Sequence, residues 1–245
     1  MKLLAFDTST ETLSVAVCRD GDDGAPRVWQ HSGAGGAQAS STLIPTIMAL
    51  LDQAGLRLAE LDAIAFGAGP GSFTGLRTAC SVAQGLGFGA NVPLLPVDTL
   101  LALAEQARLS RADPAQRFQV VAALDARMDE IYVARYEFNA GAWTLHGDFE
   151  LIRPEQLALE PGWVLAGNVA SVYGSRLAQS GGSAFERIDA LPSAAALLSL
   201  SPALLAAGQA VGADQALPRY IRDKVAKTTQ ERAAEKLAAA AVTAS

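Results

Sequence analysis

The stretch Asp7-Thr8-Ser9-Thr10 is the first part of the sequence whose residue types could take part in chemistry. Hydroxyls and backbone N–H groups in such a turn can hold a phosphate, and a carboxylate can reach a Mg²⁺ ion through water. Alternatively, the same side chains form hydrogen bonds with the backbone of their own turn. The residues alone favour the simple turn, and Asp7, Thr8 and Thr10 are kept as candidates for nucleotide binding.

A second candidate is the glycine-rich run Gly69-Pro70-Gly71-Ser72-Phe73-Thr74-Gly75-Leu76-Arg77. A glycine-rich loop that leads into a helix can bind an anion. This one is not a nucleotide-binding P-loop, because no Gly-Lys-Ser/Thr closes it, and Ser72 does not lie in the Gly-x-Ser-x-Gly elbow of hydrolases. An aromatic residue such as Phe73 between glycines is better suited to packing or to a partner contact. The spacing therefore favours a structural or interface role over nucleotide binding.

The residues that most often carry catalysis are scattered. His31 and His146 are the only histidines, and Cys18 and Cys80 the only cysteines. Neither pair has the spacing of a metal site or of a disulfide framework. A later polar segment has three candidate carboxylates, Asp125, Asp129 and Glu130. No nucleophile or metal-ligand motif in the sequence pairs with them. The sequence predicts no catalytic residue and no metal site.

The composition limits the possible functions further. The chain has 245 residues, of which 50% are hydrophobic and 18% charged, and its net charge is −6. Such an acidic chain is a poor candidate for binding RNA phosphates by itself. No apolar run is long enough to span a membrane, and the two unpaired cysteines fit a reducing compartment. We expect a cytoplasmic globular protein.

The elements that would position these residues alternate between strand and helix. Antiparallel strands are expected first, followed by strand–helix alternation, and the second half repeats this order. The predicted strands are 3–6, 13–18, 28–31, 63–66, 92–97, 120–124, 131–138 and 163–166. The predicted helices are 42–54, 76–86, 100–107 and 194–208. Ser40 or Ser41 would cap the first helix, Gly55 would end it, and 125–127 would be a turn. The order predicts a duplicated α/β fold with two lobes.

The first helix has an apolar stripe wider than one buried face needs, formed by Leu43, Ile44, Ile47, Met48 and Leu51. The next helix has many small residues, which allow another backbone to approach. Two interpretations stay open. Both helices are sunk in the core, or each has one face on the core and another on a partner.

Several segments, in this order along the chain, resemble the bacterial TsaB (YeaZ) family. The most specific is the Gly-Pro-Gly-Ser-Phe-Thr-Gly run that begins at Gly69. Further matches are 4–11, 13–17, 83–86, 97–100, 125–132 and 218–222, so the resemblance covers about residues 1–225.

The resemblance implies a two-lobed actin/Hsp70-like ATPase (ASKHA) fold. Its N-terminal lobe would be residues 1–100, joined by a returning helix at about 194–225. The second lobe would be 101–193, and an Ala-rich, solvated tail would follow at 226–245.

The resemblance also implies a role in forming N6-threonylcarbamoyladenosine in tRNAs that read codons starting with A. In that family TsaD catalyses the transfer and holds the metal, TsaC-type enzymes make the threonylcarbamoyl-adenylate, and TsaE is an ATPase that joins the complex. The family pairs with TsaD through the helices of the N-terminal lobe and forms a homodimer when TsaD is absent. ATP and a metal are expected only in the wider complex, and tRNA only through it.

One departure from the family pattern bears on catalysis. Gln38-Ala39 stands where many members have Glu-His, which argues against a metal here. We therefore expect a pseudo-enzyme subunit that holds no cofactor alone. The alternative is an autonomous nucleotide-hydrolysing or protease-like enzyme of the same fold. The predicted partner interface is Leu43, Ile44, Ile47, Met48, Leu51, Gly69, Pro70, Gly71, Ser72, Phe73, Thr74, Gly75 and Arg77.

Overall fold

The first lobe is built on a five-stranded sheet. The computed structural model describes residues 1–21, 23–177 and 185–222. The strands of this sheet are β1 (Lys2–Asp7), β2 (Thr12–Asp20), β3 (Pro26–Ala34), β4 (Ala63–Gly69) and β5 (Leu94–Asp98). Their order is β3-β2-β1-β4-β5, with β1, β2 and β3 antiparallel and β4 and β5 parallel to β1. β4 is buried along its whole length, which explains its unbroken run of apolar and small residues.

The second sheet repeats this arrangement. Its strands are β6 (Phe118–Arg127), β7 (Glu130–Asn139), β8 (Ala142–Ile152), β9 (Val164–Ala166) and β10 (Arg187–Ile188). Their order is β8-β7-β6-β9-β10, with β6, β7 and β8 antiparallel and β9 and β10 parallel to β6. The two sheets therefore share one strand order, and the predicted two-lobed α/β fold is confirmed.

Helices cover both faces of the first sheet. The α-helices of the described residues are α1 (Ala39–Ala54), α2 (Phe73–Ala90), α3 (Thr99–Leu109), α4 (Val169–Tyr173) and α5 (Ala194–Ala206), of which α4 packs against β6 of the second sheet. α1 and α2 pack against the face that presents Leu4 and Phe6. α5 packs against the opposite face, which presents Leu3 and Ala5. α3 packs against α5 and against β6, so α3 lies between the two lobes.

The start of α1 differs from the prediction. The helix begins at Ala39 rather than at 42, after a 3₁₀ turn at Gly36–Gln38, and Gln38 precedes it without a side-chain cap. Pro45 is therefore inside the helix and cannot donate to the carbonyl of Ser41. Both residues are exposed, so water can satisfy that carbonyl. The predicted stop is confirmed, because Gly55 has the left-handed conformation (φ 64°) of a C-terminal cap.

Three other predictions about the second half need correction. The returning helix predicted at 194–225 ends at Ala206, because Gly208 turns the chain with a φ of 71°. Residues 209–222 continue without a helix. Residues 125–127 belong to β6, and the turn follows at 128–129. β8 was missed because its exposed side chains lack the alternation of a half-buried strand.

The predicted tail 226–245 lies outside the described residues. The predicted lobe boundary near residue 100 falls at the start of α3. Among the described helices, none combines the length and apolar character that crossing a membrane would require.

Candidate functional site

The outward faces of α1 and α2 present apolar side chains to solvent. α1 exposes Ile44 and Met48, the latter 49% exposed. α2 exposes Phe73 and Phe88, and Phe88 is 84% exposed. The two helices contact each other on the same face of the sheet. Their exposed stripes therefore form one surface, which we call the α1–α2 face.

Part of the predicted interface is not on this face. Leu43, Ile47 and Leu51 are 0–2% exposed and pack in the core of the first lobe. The interface prediction was wrong for them, because the helical period turns them toward the sheet while Ile44 and Met48 point away. The wide apolar stripe of α1 therefore divides into a core side and an exposed side.

Phe88 was missed from the sequence. Reasoning about α2 singled out its small residues, and the signal that could have found Phe88 is its spacing. Phe88 follows Arg77, Ser81 and Gly85 at intervals of three and four, and all of these residues are exposed. A large apolar side chain in an otherwise small or polar helical stripe indicates a contact surface.

The glycine-rich run divides in the same way. Gly69, Pro70 and Gly75 are buried, so the interface prediction was wrong for them as well. A Cβ on Gly69 would lie 2.4 Å from the carbonyl oxygen of Arg219. These residues let backbones approach closely. Gly71 is half-buried, and the exposed members are Ser72, Phe73, Thr74 and Arg77.

Asp7 is fully buried at the end of β1. Its Oδ1 accepts hydrogen bonds from the backbone N–H of Ser9 at 2.9 Å and from the Ser9 hydroxyl at 2.7 Å. Its Oδ2 has no hydrogen-bond partner among the described residues. Burial raises the pKa of Asp7 to about 6, although the hydrogen bonds from Ser9 oppose this shift.

The three residues predicted to bind a nucleotide therefore differ in burial. Asp7 and Thr8 are 0% exposed, and the Thr8 hydroxyl donates to the carbonyl oxygen of Gly75 at 2.8 Å. Only Thr10 lines the cleft between the lobes. A nucleotide in this cleft could not touch the Asp7 carboxylate unless the turn rearranged.

The cleft between the lobes has a volume of about 360 Å³. The first lobe contributes Thr10, Ser72 and Phe73, and the second lobe contributes Ala126 and Met128. The chain segment 219–222 forms a further wall. The lining combines hydroxyls, aromatic rings and arginines.

The acidic residues at the second-lobe rim of this cleft are all held by other side chains. Asp125 is paired with Arg127, Asp129 with Arg176, and Glu130 with Arg222. Tyr173 donates to a carboxylate oxygen of Asp125 at 2.8 Å. No group of His, Cys, Asp and Glu side chains able to hold a metal ion occurs in the described parts of the chain.

The histidines and cysteines do not meet. His31 lies on β3 of the first lobe and His146 on β8 of the second, and both are exposed. His146 faces Glu137, with 3.4 Å from Nε2 to the carboxylate. Cys18 and Cys80 are both free thiols, and burial raises the pKa of each. No nucleophile–base pair is formed from these four side chains.

Comparison with known proteins gives consistent matches over most of the chain. The family model described as "TsaD: tRNA N6-adenosine threonylcarbamoyltransferase" matches residues 35–245. The Escherichia coli protein named "tRNA threonylcarbamoyladenosine biosynthesis protein TsaB" is 34% identical over 92% of this chain and 96% of its own length. The Haemophilus influenzae protein of the same name is 44% identical over 55% of this chain and 53% of its own length. The solved structure "YeaZ from Pseudomonas aeruginosa" superposes with a TM-score of 0.78 and 38% identity, over 90% of this chain and 99% of that one.

Proposed function

The chain belongs to the TsaB (YeaZ) family, and from this membership we propose that it is the non-catalytic partner subunit of TsaD. In this role it is required for forming N6-threonylcarbamoyladenosine in tRNAs that read codons starting with A. In this proposal the modification of tRNA takes place in the cytoplasm. The Escherichia coli relative is named as a protein of tRNA threonylcarbamoyladenosine biosynthesis, which supports this proposal.

The single observation that carries the proposed partnership is the α1–α2 face. Ile44, Met48, Phe73 and Phe88 are large apolar side chains that the chain leaves exposed. Apolar surface of this kind, gathered on adjacent helices, is typical of a protein–protein contact. TsaD would cover this face in the heterodimer, and a second copy of the chain would cover it when TsaD is absent.

The arrangement of polar groups supports a subunit without chemistry of its own. Catalysis needs a nucleophile, base or metal ligand within reach of a reacting atom. Asp7 is sealed away from the cleft, and Asp125, Asp129 and Glu130 at the second-lobe rim are each engaged by an arginine. ATP and the metal would then be held by the other members of the complex. TsaE joins this complex as its ATPase, TsaC supplies the threonylcarbamoyl-adenylate, and tRNA binds only to the assembled complex.

Reconstitution tests this proposal. The chain is assayed alone for ATP turnover, and modified tRNA is measured with TsaD, TsaC and TsaE, with and without the chain. We expect no turnover by the chain alone and loss of product when it is omitted.

A variant of Asp7 tests the absence of catalysis directly. Asp7→Ala should reduce product much less than loss of a metal ligand in TsaD, provided that the heterodimer still forms. If product disappears while the heterodimer remains intact by size-exclusion chromatography, Asp7 takes part in chemistry and the pseudo-enzyme proposal has to be abandoned.

A further inference from the structure

The last described segment of the chain, 216–222, is anchored in the first lobe. Ala216 is fully buried, and its carbonyl oxygen accepts hydrogen bonds from Gln84 Nε2 at 2.8 Å and from Cys80 Sγ at 3.4 Å. The backbone N–H of Arg219 donates to the carbonyl oxygen of Ala68 at 2.7 Å. The segment thus continues the first lobe to the edge of the cleft.

Its final residues cross to the second lobe. Ile221 packs against the core of that lobe. The guanidinium of Arg222, 16% exposed, donates to the carboxylate of Glu130 and, at 3.3 Å, to the carbonyl oxygen of Arg127. Arg219 also lies over the ring of Phe149 on β8, 4.9 Å from its centroid. The far end of the segment is therefore held mainly through its own side chains, whereas the near end is held through its own backbone atoms.

The turn that receives Arg222 is strained. Arg127, Met128 and Asp129 have φ angles of 62°, 56° and 60°, a left-handed conformation that residues with side chains seldom adopt in succession. Such a conformation persists where its surroundings over-determine it. Arg222 supplies part of that constraint, and Tyr173 supplies another part by donating to the carbonyl oxygen of Glu130 at 3.3 Å.

A second connection between the lobes lies deeper. Glu105 on α3 is 2% exposed and accepts hydrogen bonds from Trp143 on β8 and Ser199 on α5. This buried junction is suited to act as a pivot, because its polar groups satisfy one another away from solvent. Arg222 is held closer to solvent than Glu105, with 16% of its side chain exposed, so its contact should open first.

We propose that residues 219–222 form a clasp that holds the cleft between the lobes closed and that opens at its second-lobe end. The clasp also contacts the α1–α2 face. The Tyr220 ring lies 5.3 Å from the Phe73 ring, and the Arg77 guanidinium donates to the Tyr220 hydroxyl at 3.1 Å. A partner that covers Phe73 and Arg77 therefore acts on the clasp, a part of the inference that rests on the proposed function.

Thiol labelling tests the clasp in the full-length chain. Ala126→Cys, in a Cys18→Ser background, places a thiol on the cleft lining, and the native Cys80 reports on the first-lobe anchor. Arg222→Ala should raise the labelling rate at position 126 by a bulky thiol reagent about tenfold, since a hydrogen bond to a charged group is lost. The rate at Cys80 should not change.

The matched control is Arg117→Ala, which removes an ion pair with Glu137 inside the second lobe. This variant should leave the rate at position 126 unchanged. An unaltered rate in Arg222→Ala overturns the clasp, and so does an equal rise at position 126 and Cys80, which would mean that the whole segment detaches.

A final arm adds purified TsaD to the unlabelled chain before the thiol reagent, and the labelling rate is measured again. A changed labelling rate at position 126 supports the coupling between the partner face and the cleft. If TsaD binds and the rate stays the same, the coupling fails while the proposed partnership stands. If TsaD does not bind, the proposed partnership fails, and the clasp is judged from the chain alone.

Discussion

Thr8 and Gly75 pack backbone against backbone where the first strand meets the second helix. A Cβ on Gly75 would lie 1.8 Å from the carbonyl oxygen of Thr8, and the Thr8 hydroxyl donates to the carbonyl oxygen of Gly75 at 2.8 Å. The Asp-Thr-Ser-Thr turn and the glycine-rich run are therefore the two sides of one contact. That contact fixes the first turn of α2, and with it the position of Phe73 on the α1–α2 face.

The first prediction concerns the close approach at Gly75. Gly75→Ala should lower the free energy of unfolding by roughly 1–3 kcal/mol, because the added methyl group forces β1 and α2 apart. Urea denaturation measures this change. Gly85→Ala is the control on the same helix. Nothing lies within 4 Å of a Cβ there, so alanine should stabilise the protein by about 0.5–1 kcal/mol. A Gly75→Ala protein as stable as the wild type would contradict the packing described here.

The second prediction concerns the α1–α2 face. Met48→Glu should abolish binding to TsaD and homodimer formation while the chain stays folded, because the contact would bury a carboxylate among apolar side chains. Pull-down with TsaD and size-exclusion chromatography measure both effects.

Two substitutions on the same helix serve as controls for Met48→Glu. Gln53→Glu adds the same charge at an exposed position and should bind normally. Ile47→Glu places the charge in the core, where the residue is fully buried, and should unfold the chain. Binding of TsaD by Met48→Glu at wild-type affinity would show that the surface is misassigned.

The sequence was sufficient to predict the order of strands and helices, but not which side chains of a helix are buried. Regular apolar runs at 3–6 and 63–66 predicted β1 and β4 correctly. The apolar stripe of α1 could not show which side faces the sheet, because Ile44 and Ile47 have the same chemistry and only the fold distinguishes them. A turn was predicted at 125–127, but the left-handed conformation of 127–129 was not, because none of these residues is glycine and the contacts from Arg222 and Tyr173 come from distant parts of the chain.

The third prediction concerns the pH dependence that Asp7 imposes on stability. Its pKa is about 6 in the folded protein, against an ordinary value of 3.8. Because the folded pKa is the higher one, the neutral carboxyl contributes stability that is fully present below pH 3.8 and is lost as the pH rises through 6. The Asn side chain of Asp7→Asn stays uncharged at every pH. As the pH rises through this window, the free energy of unfolding of the variant should therefore increase by about 3 kcal/mol relative to that of the wild type.

Urea denaturation at several pH values between 3.5 and 8 measures this difference, and about five points are sufficient to define the slope. Asp62→Asn is the control, because it makes the same substitution at an exposed carboxylate. That variant should show no comparable change. A flat difference for Asp7→Asn would mean that the carboxylate is solvated in solution, and the cleft would then be open to it.

The last prediction concerns Glu105, which behaves in the opposite way. Burial raises its pKa, but hydrogen bonds from Arg108, Ser199 and Trp143 together outweigh burial and hold the pKa below the ordinary value of 4.5. The ionised carboxylate therefore contributes stability that is present above pH 4.5 and is lost as the pH falls below it.

Glu105→Ala should lower the free energy of unfolding at pH 7 by roughly 3–5 kcal/mol, because it leaves the largely buried guanidinium of Arg108 without its partner. The control is Glu60→Ala, which removes an ion pair of the same i,i+3 spacing between a half-buried carboxylate and the exposed guanidinium of Arg57, and should change stability little. Denaturation at pH 7 and at pH 4 compares both variants with the wild type, and the deficit of Glu105→Ala should shrink at the lower pH. Equal losses in the two variants would mean that the junction between α3, α5 and β8 does not hold the lobes together through this carboxylate.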